Sequence, residues 1–211
     1  YRNVRKMGLI AVSLDEGDRL AWVRLTSGED QLIVATRQGM AIRFNETDAR
    51  VLGRTARGVR ALNLEEDDIV VGMVPVMENT TVLTVSENGQ GRRTDPAEYR
   101  LQSRGGKGIK NYDTQKNGPV AGVLAVGEED DVILISDDGI IIRIPVAGIS
   151  TQSRYAGGVR VMRIGEGSRL VSLCRAPHED EEEAAAESEA PAEAETPAEE
   201  TADSTETPVE E

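Results

Sequence analysis

A spacing of 50 residues runs through most of the chain. Gly8, Gly58, Gly108 and Gly158 keep it, as do Gly39, Gly89 and Gly139, and Gly72 and Gly122. Around these glycines the segments DQLIVATRQGMAIRF (30–44), TTVLTVSENGQGRRT (80–94) and DDVILISDDGIIIRI (130–144) superpose without a gap. So do GRTARGVRA (53–61), SRGGKGIKN (103–111) and SRYAGGVRV (153–161). A chain that repeats this regularly builds one supersecondary unit several times over, and successive units bury one another.

Each unit reads as β-structure. A β-branched run, a turn ending in glycine (Arg37-Gln38-Gly39, Asp137-Asp138-Gly139) and a second run predict a hairpin. A polar connection follows, then a second pair of short strands. In one unit that pair is expected near 58–64 and 69–76, with the acidic turn Glu65 to Asp68 between them. No stretch of the body shows 3.6-residue periodicity, so almost no helix is expected. Four short strands in 50 residues is the arithmetic of a propeller blade. The predicted fold is all-β, a propeller-like array of about three and a half four-stranded blades. Residues 1–26 form an incomplete half unit, and 27–76, 77–126 and 127–176 are full repeats. Such an array does not close a ring, and the chain starts in polar sequence at Tyr1, so it reads as a fragment of a longer array. Trp22 shares a column with Gly72, Gly122 and Ser172 and is expected to fill the core or edge of the incomplete blade.

The net charge of −14 averages two unlike parts. Residues 177–211 hold 15 acidic residues and no Lys or Arg, which leaves 24 basic and 23 acidic groups in residues 1–176. The tail has too little apolar surface to bury a core and is expected to be disordered. It is either a solubility tail or an internal polyanion competing for a basic surface. The single cysteine, Cys174, makes neither a disulfide framework nor a zinc site, which suits a reducing compartment such as the cytoplasm. No apolar run approaches the ~18 residues that span a membrane, and no signal peptide is recognised.

Enzyme readings find little support. The only histidine, His178, lies in the tail, so a His-based triad or metal site has no basis. Gly105-Gly106-Lys107 is followed by Gly108 rather than the Ser or Thr of a P-loop. Neither catalytic nor metal-binding residues are expected.

Basic residues, by contrast, are organised. Of the 24, 20 are Arg, which suits planar recognition of phosphate or carboxylate, although base composition of a genome gives the same bias. They cluster as Arg50, Arg54, Arg57 and Arg60, then Arg92, Arg93, Arg100, Arg104, Lys107 and Lys110, then Arg143, Arg154, Arg160 and Arg163. Equivalent positions of an array face equivalent directions, so these groups are expected along one rim rather than scattered. A belt of positive charge replaces counter-ions along a bent duplex without reading bases. The heptad QSRGGKG (102–108) concentrates this chemistry. Arg104 supplies a fork and Lys107 a point charge, while Gly105, Gly106 and Gly108 let a polyanion approach the backbone. Tyr99, Tyr112 and Tyr155 lie among the cations, where bases could stack on them.

With this heptad, these repeats and the acidic tail, the chain resembles the C-terminal domain of the A subunit of DNA gyrase over essentially all of residues 1–176. The family's usual box is QRRGGKG. Here Ser103 replaces an arginine and one more repeat follows, so the heptad reads as a box-like copy with the signature box upstream. The resemblance implies a β-pinwheel, with strands exchanged between blades and DNA wrapped around a basic rim. It implies a non-catalytic part in ATP-dependent negative supercoiling, in the bacterial cytoplasm at the nucleoid. The implied partners are double-stranded DNA, held by its phosphates, and the B subunit of gyrase with the rest of the A subunit in an A2B2 complex. No cofactor is expected in this chain, since ATP and Mg2+ belong to other parts of that assembly. The expected phosphate contacts are Arg104 and Lys107 first, then Arg54, Arg57 and Arg60, then Arg92, Arg93, Arg100 and Lys110, then Arg154 and Arg160. Two alternatives remain: the C-terminal domain of the topoisomerase IV A subunit, and a propeller that binds a protein partner in a salt-tolerant way.

Overall fold

A computed structural model describes residues 6–178. The predicted disorder of the acidic tail beyond His178 falls outside the described residues. Three hairpins follow the 50-residue register: β1 (Gln31–Thr36) with β2 (Met40–Asn45), β4 (Thr81–Ser86) with β5 (Gln90–Thr94), and β8 (Asp130–Ser136) with β9 (Ile141–Pro145). The first two turn through three residues and the last through four; in each the third is a glycine whose N–H donates back to the carbonyl of Thr36, Ser86 or Ser136 at 3.0, 3.0 and 3.1 Å. Gly39, Gly89 and Gly139 have φ of 85, 74 and 86° there, a left-handed position that side chains resist. An innermost strand then pairs antiparallel with the first strand of each hairpin: β3 (Val70–Val76) on β1, β7 (Val120–Val126) on β4, and β11 (Leu170–Pro177) on β8.

The fourth strand departs from the expectation drawn from the sequence. β6 (Ile109–Lys110) belongs to the second repeat but pairs with β2 of the first, Ala41 opposite Ile109 and Met40 opposite Lys110. β10 (Val159–Arg160) pairs with β5 in the same way. The sheets therefore run β3-β1-β2-β6, β7-β4-β5-β10 and, among the described residues, β11-β8-β9. A third strand paired with the fourth inside one repeat is not formed, and the strand exchange implied by the resemblance is. The exchange brings the backbones too close for a side chain. A Cβ built on Gly108 would lie 2.4 Å from the Ala41 carbonyl oxygen, and one on Gly158 would lie 2.5 Å from that of Gly91. The glycine column therefore marks where one repeat lays its backbone on the hairpin before it.

Blades stack face to face, so hairpin strands are covered on both sides and read as continuous apolar runs. Ile33, Ala35 and Ala41 of the first blade pack with Val82, Val120 and Val123 of the second, around Tyr99 and Tyr112. One repeat later, Leu83 and Val85 meet Val132 and Leu134. Val34, Ile42 and Phe44 cover the other face of the first blade with Leu62. Ile33, Leu83 and Leu134 are wholly buried, each worth on the order of 1.5–3 kcal/mol against exposure. The innermost strands approach so closely that a Cβ on Gly72 would sit 2.5 Å from Val123 Cγ2, and one on Gly122 2.4 Å from Leu173 Cδ2. Trp22 lines a cavity of about 650 Å³ beside these strands. Residues 6–26 form no strand but keep contacts of the repeat: the Ser13 N–H, for example, donates to Ala56 O at 3.4 Å, as Asn63 does to Gly106 O at 2.9 Å. Among the described residues, helix is confined to one turn, α1 (Thr114–Asn117), and three short 3-10 turns.

Candidate nucleic-acid interface

The exchanged strands each follow a loop, here called a strap, that reaches across to the preceding repeat. Residues 103–108 form one strap and 153–158 the next; 53–58 is the equivalent segment of the first repeat. The strap at 103–108 is held by its own backbone. The Gly105 N–H donates to Ala61 O at 2.6 Å, and Gly106 O accepts from Asn63. Gly105 (φ 83°) and Gly108 (φ 76°) are left-handed. Gly106 is neither left-handed nor crowded, since a Cβ there would find its nearest neighbour at 3.8 Å. It is the one box glycine that the fold itself does not require.

Arg104 lies half-buried along the strap. Its Nε donates to Asp48 O at 2.9 Å and its Nη1 to Arg60 O at 3.0 Å. Arg154 repeats the arrangement, with Nε to Glu98 O at 3.1 Å and Nη1 to Lys110 O. Arg54 keeps half of it, donating to Ile10 O at 3.3 Å. This arginine column staples each strap to the repeat before it. Arg154 also lies over the exposed Tyr155 ring, 4.6 Å from its centroid, and donates to the phenol oxygen.

Arg54 is itself exposed, and further cations face solvent beside this column. Lys107 is exposed and lies 2.7 Å from the Glu65 carboxylate, which holds the ammonium above its ordinary pKa, chiefly through their hydrogen bond. Arg57 pairs with Asp15 at 2.9 Å. The column Arg60, Lys110 and Arg160 is exposed throughout, and Lys110 and Arg160 are the last residues of the exchanged strands. Lys110 reaches Asp113 at 3.4 Å. Arg100 is exposed beside Gln102.

Arg92 and Arg93 are corrections to the expected set. Arg92 is 0 % exposed, and burial pulls its pKa below the ordinary guanidinium value. Arg93 is 5 % exposed, donates to Ile149 O at 2.6 Å and pairs with Glu128, whose carboxyl it holds low. The donors of Arg92 are matched inside the fold, and those of Arg93 are taken by Ile149 O and by Glu128, so neither side chain is presented to a phosphate. Tyr99 and Tyr112 are likewise internal, and desolvation raises both their pKa values. The sequence reading missed Glu65 and Asp15 as counter-ions. The signal was available in the repeat: where Arg57 and Lys107 give way to Gly157, Asp15 and Glu65 give way to Gln115.

The profile of the DNA gyrase C-terminal domain, a β-propeller, matches residues 1–27, 30–77, 80–126 and 130–173. The chain belongs to this family. Among curated gyrase A proteins, that of Halalkalibacterium halodurans is 57% identical over 63 residues, 30% of this chain and 8% of the relative. That of Haloquadratum walsbyi is 47% identical over 76 residues, 36% of this chain and 9% of the relative. The chain thus spans under a tenth of these relatives. A solved gyrase A C-terminal domain superposes with a TM-score of 0.72 at 30% identity, over 81% of this chain and 58% of that one. The C-terminal domain of a topoisomerase IV superposes at 0.78 over 89% of this chain and 59% of that one; at 24% identity this likeness carries the fold alone. Among the described residues of this chain no helix is long and apolar enough to cross a membrane.

Proposed function

We propose that the chain is the non-catalytic, DNA-wrapping part of a gyrase A protein, and that it supports ATP-dependent negative supercoiling. The observation that carries this reading is the exposed column Arg60, Lys110 and Arg160, of which Lys110 and Arg160 are set by the strand exchange at the outer edge of successive sheets. Lys107, Arg57 and Arg100 add exposed charge close by in the sequence. Such cations neutralise phosphates and release condensed counter-ions, which gives affinity that is indifferent to base sequence and steeply dependent on salt. A row of them along successive sheets neutralises phosphates along a path, which suits wrapping that reads no bases. The partners are then duplex DNA, the gyrase B protein, and the remainder of gyrase A in an A2B2 assembly. ATP and Mg2+ act elsewhere in that assembly, in the bacterial cytoplasm.

Duplex binding measured across a salt series tests this. The expected result is a linear log–log dependence, in which replacing Arg60, Lys110 or Arg160 by Gln lowers the slope by roughly 0.9 each. Salt-independent binding, or no binding by the folded chain, would overturn the proposal and favour a protein partner.

A further inference from the structure

Two consecutive straps are joined from the inside by a cation that solvent does not reach. Arg92 of β5 is wholly buried, although the same column holds Ile42 and Ile142 in the neighbouring repeats. A buried guanidinium is tolerated only where its donors are matched. Its Nη2 donates to Arg154 O at 2.8 Å and to Asn111 O, its Nη1 to Ala156 O at 3.2 Å, and its Nε to Thr94 Oγ1 at 3.1 Å. The cation also lies over the Tyr112 ring, 4.8 Å from the centroid, and the Tyr112 hydroxyl donates to Gly157 O at 3.3 Å. Asn111 is fixed in turn, accepting from the Tyr99 hydroxyl at 2.6 Å and donating to Thr84 Oγ1 at 3.2 Å. Asn111 directly follows the exchanged strand that ends the strap at 103–108, while Arg154, Ala156 and Gly157 lie in the next strap. One side chain therefore binds two carbonyls of the next strap and the carbonyl just past the exchanged strand that the strap at 103–108 leads into. No such tie reaches the strap at 103–108 from below, where Ile42 stands in the arginine's place and packs with Leu62.

We infer that Arg92 is a positioning residue for duplex DNA: it fixes the second strap relative to the first, so that Arg160 meets phosphates in register with those held by Lys107 and Lys110. This rests on the phosphate-binding function proposed above. Phosphates on a duplex form a stiff lattice, so cations held in matching positions bind without first being ordered. The tie matters only to a duplex long enough to touch both straps.

The experiment compares the chain with Arg92→Ile and with the double variant Arg92→Ile, Tyr112→Leu, which rebuilds the apolar pair found at Ile42 and Leu62. Affinity is measured in a salt series for duplexes of about one and about four helical turns. The expected result is equal affinity of all three proteins for the short duplex, and a roughly ten-fold loss by both variants on the long one. Equal losses on both lengths, or no loss on either, would overturn the positioning role. So would failure of both variants to fold, since Arg92 would then serve the core alone. Absence of binding by the unaltered chain would overturn the proposed function itself and the inference with it.

Discussion

A phosphate that reaches Lys107 has to displace the Glu65 carboxylate, which already lies 2.7 Å from the ammonium. Both side chains are exposed, so the pair adds little to the fold, but it subtracts from the charge the strap presents. Glu65→Gln is therefore expected to tighten duplex binding several-fold and steepen its salt slope by up to about one unit, with the thermal midpoint unmoved. Binding isotherms of Glu65→Gln and Lys107→Gln in parallel check this, since the two should move in opposite directions. Gly106 offers a second test. Its surroundings leave room for a methyl group and its φ is not left-handed, so Gly106→Ala should fold normally. It should nevertheless bind DNA more weakly where a phosphate passes close to the backbone; unchanged affinity would mean that the strap is not approached there. At this scale the sequence was a partial guide. The exposed columns at 57 and 60 could be read from charge and repetition. Arg92 and Arg93 could not, because arginine is rarely fully buried and their partners are mostly backbone carbonyls, which leave no mark in the sequence. The one hint was that Arg92 stands where two other repeats place isoleucine.

Hairpins were legible because a β-branched run, a turn and a left-handed glycine each leave a signal, and three copies reinforce it. The exchanged strands were not legible from pattern. β6 and β10 are two residues long, below any length at which alternation can be recognised, and their direction is set by where Gly108 and Gly158 can dock. Substitution separates the two demands on these glycines. Gly58→Ala meets no atom within 4 Å and suffers only the left-handed backbone, about 1–2 kcal/mol. Gly108→Ala adds a collision with Ala41 O, so it should lose about a further 1–3 kcal/mol, the usual range for overpacking. Urea unfolding midpoints of the two variants measure the difference, and equal midpoints would argue that the joint yields easily.

Across the whole chain the charge is divided more sharply than the net value suggests. Ending the chain after His178 keeps β11 whole and removes all 15 acidic residues of the tail, taking the net charge from −14 to +1. The shortened chain should associate with DNA faster at low ionic strength, and the gap should close as the Debye length falls to about 8 Å near physiological salt. Stopped-flow association at two salt concentrations decides it, and identical rates at low salt would leave the tail without electrostatic influence. The exchange of strands also bears on how such a chain is made. Lys110 lies 34 residues beyond the end of β3, so the first blade lacks its outer edge until the ribosome has finished most of the second repeat. At about 5–20 residues per second, β2 stays unsealed for roughly two to seven seconds after β3 is complete. Maturation of the array is thus vectorial, each blade completed one repeat behind the nascent end.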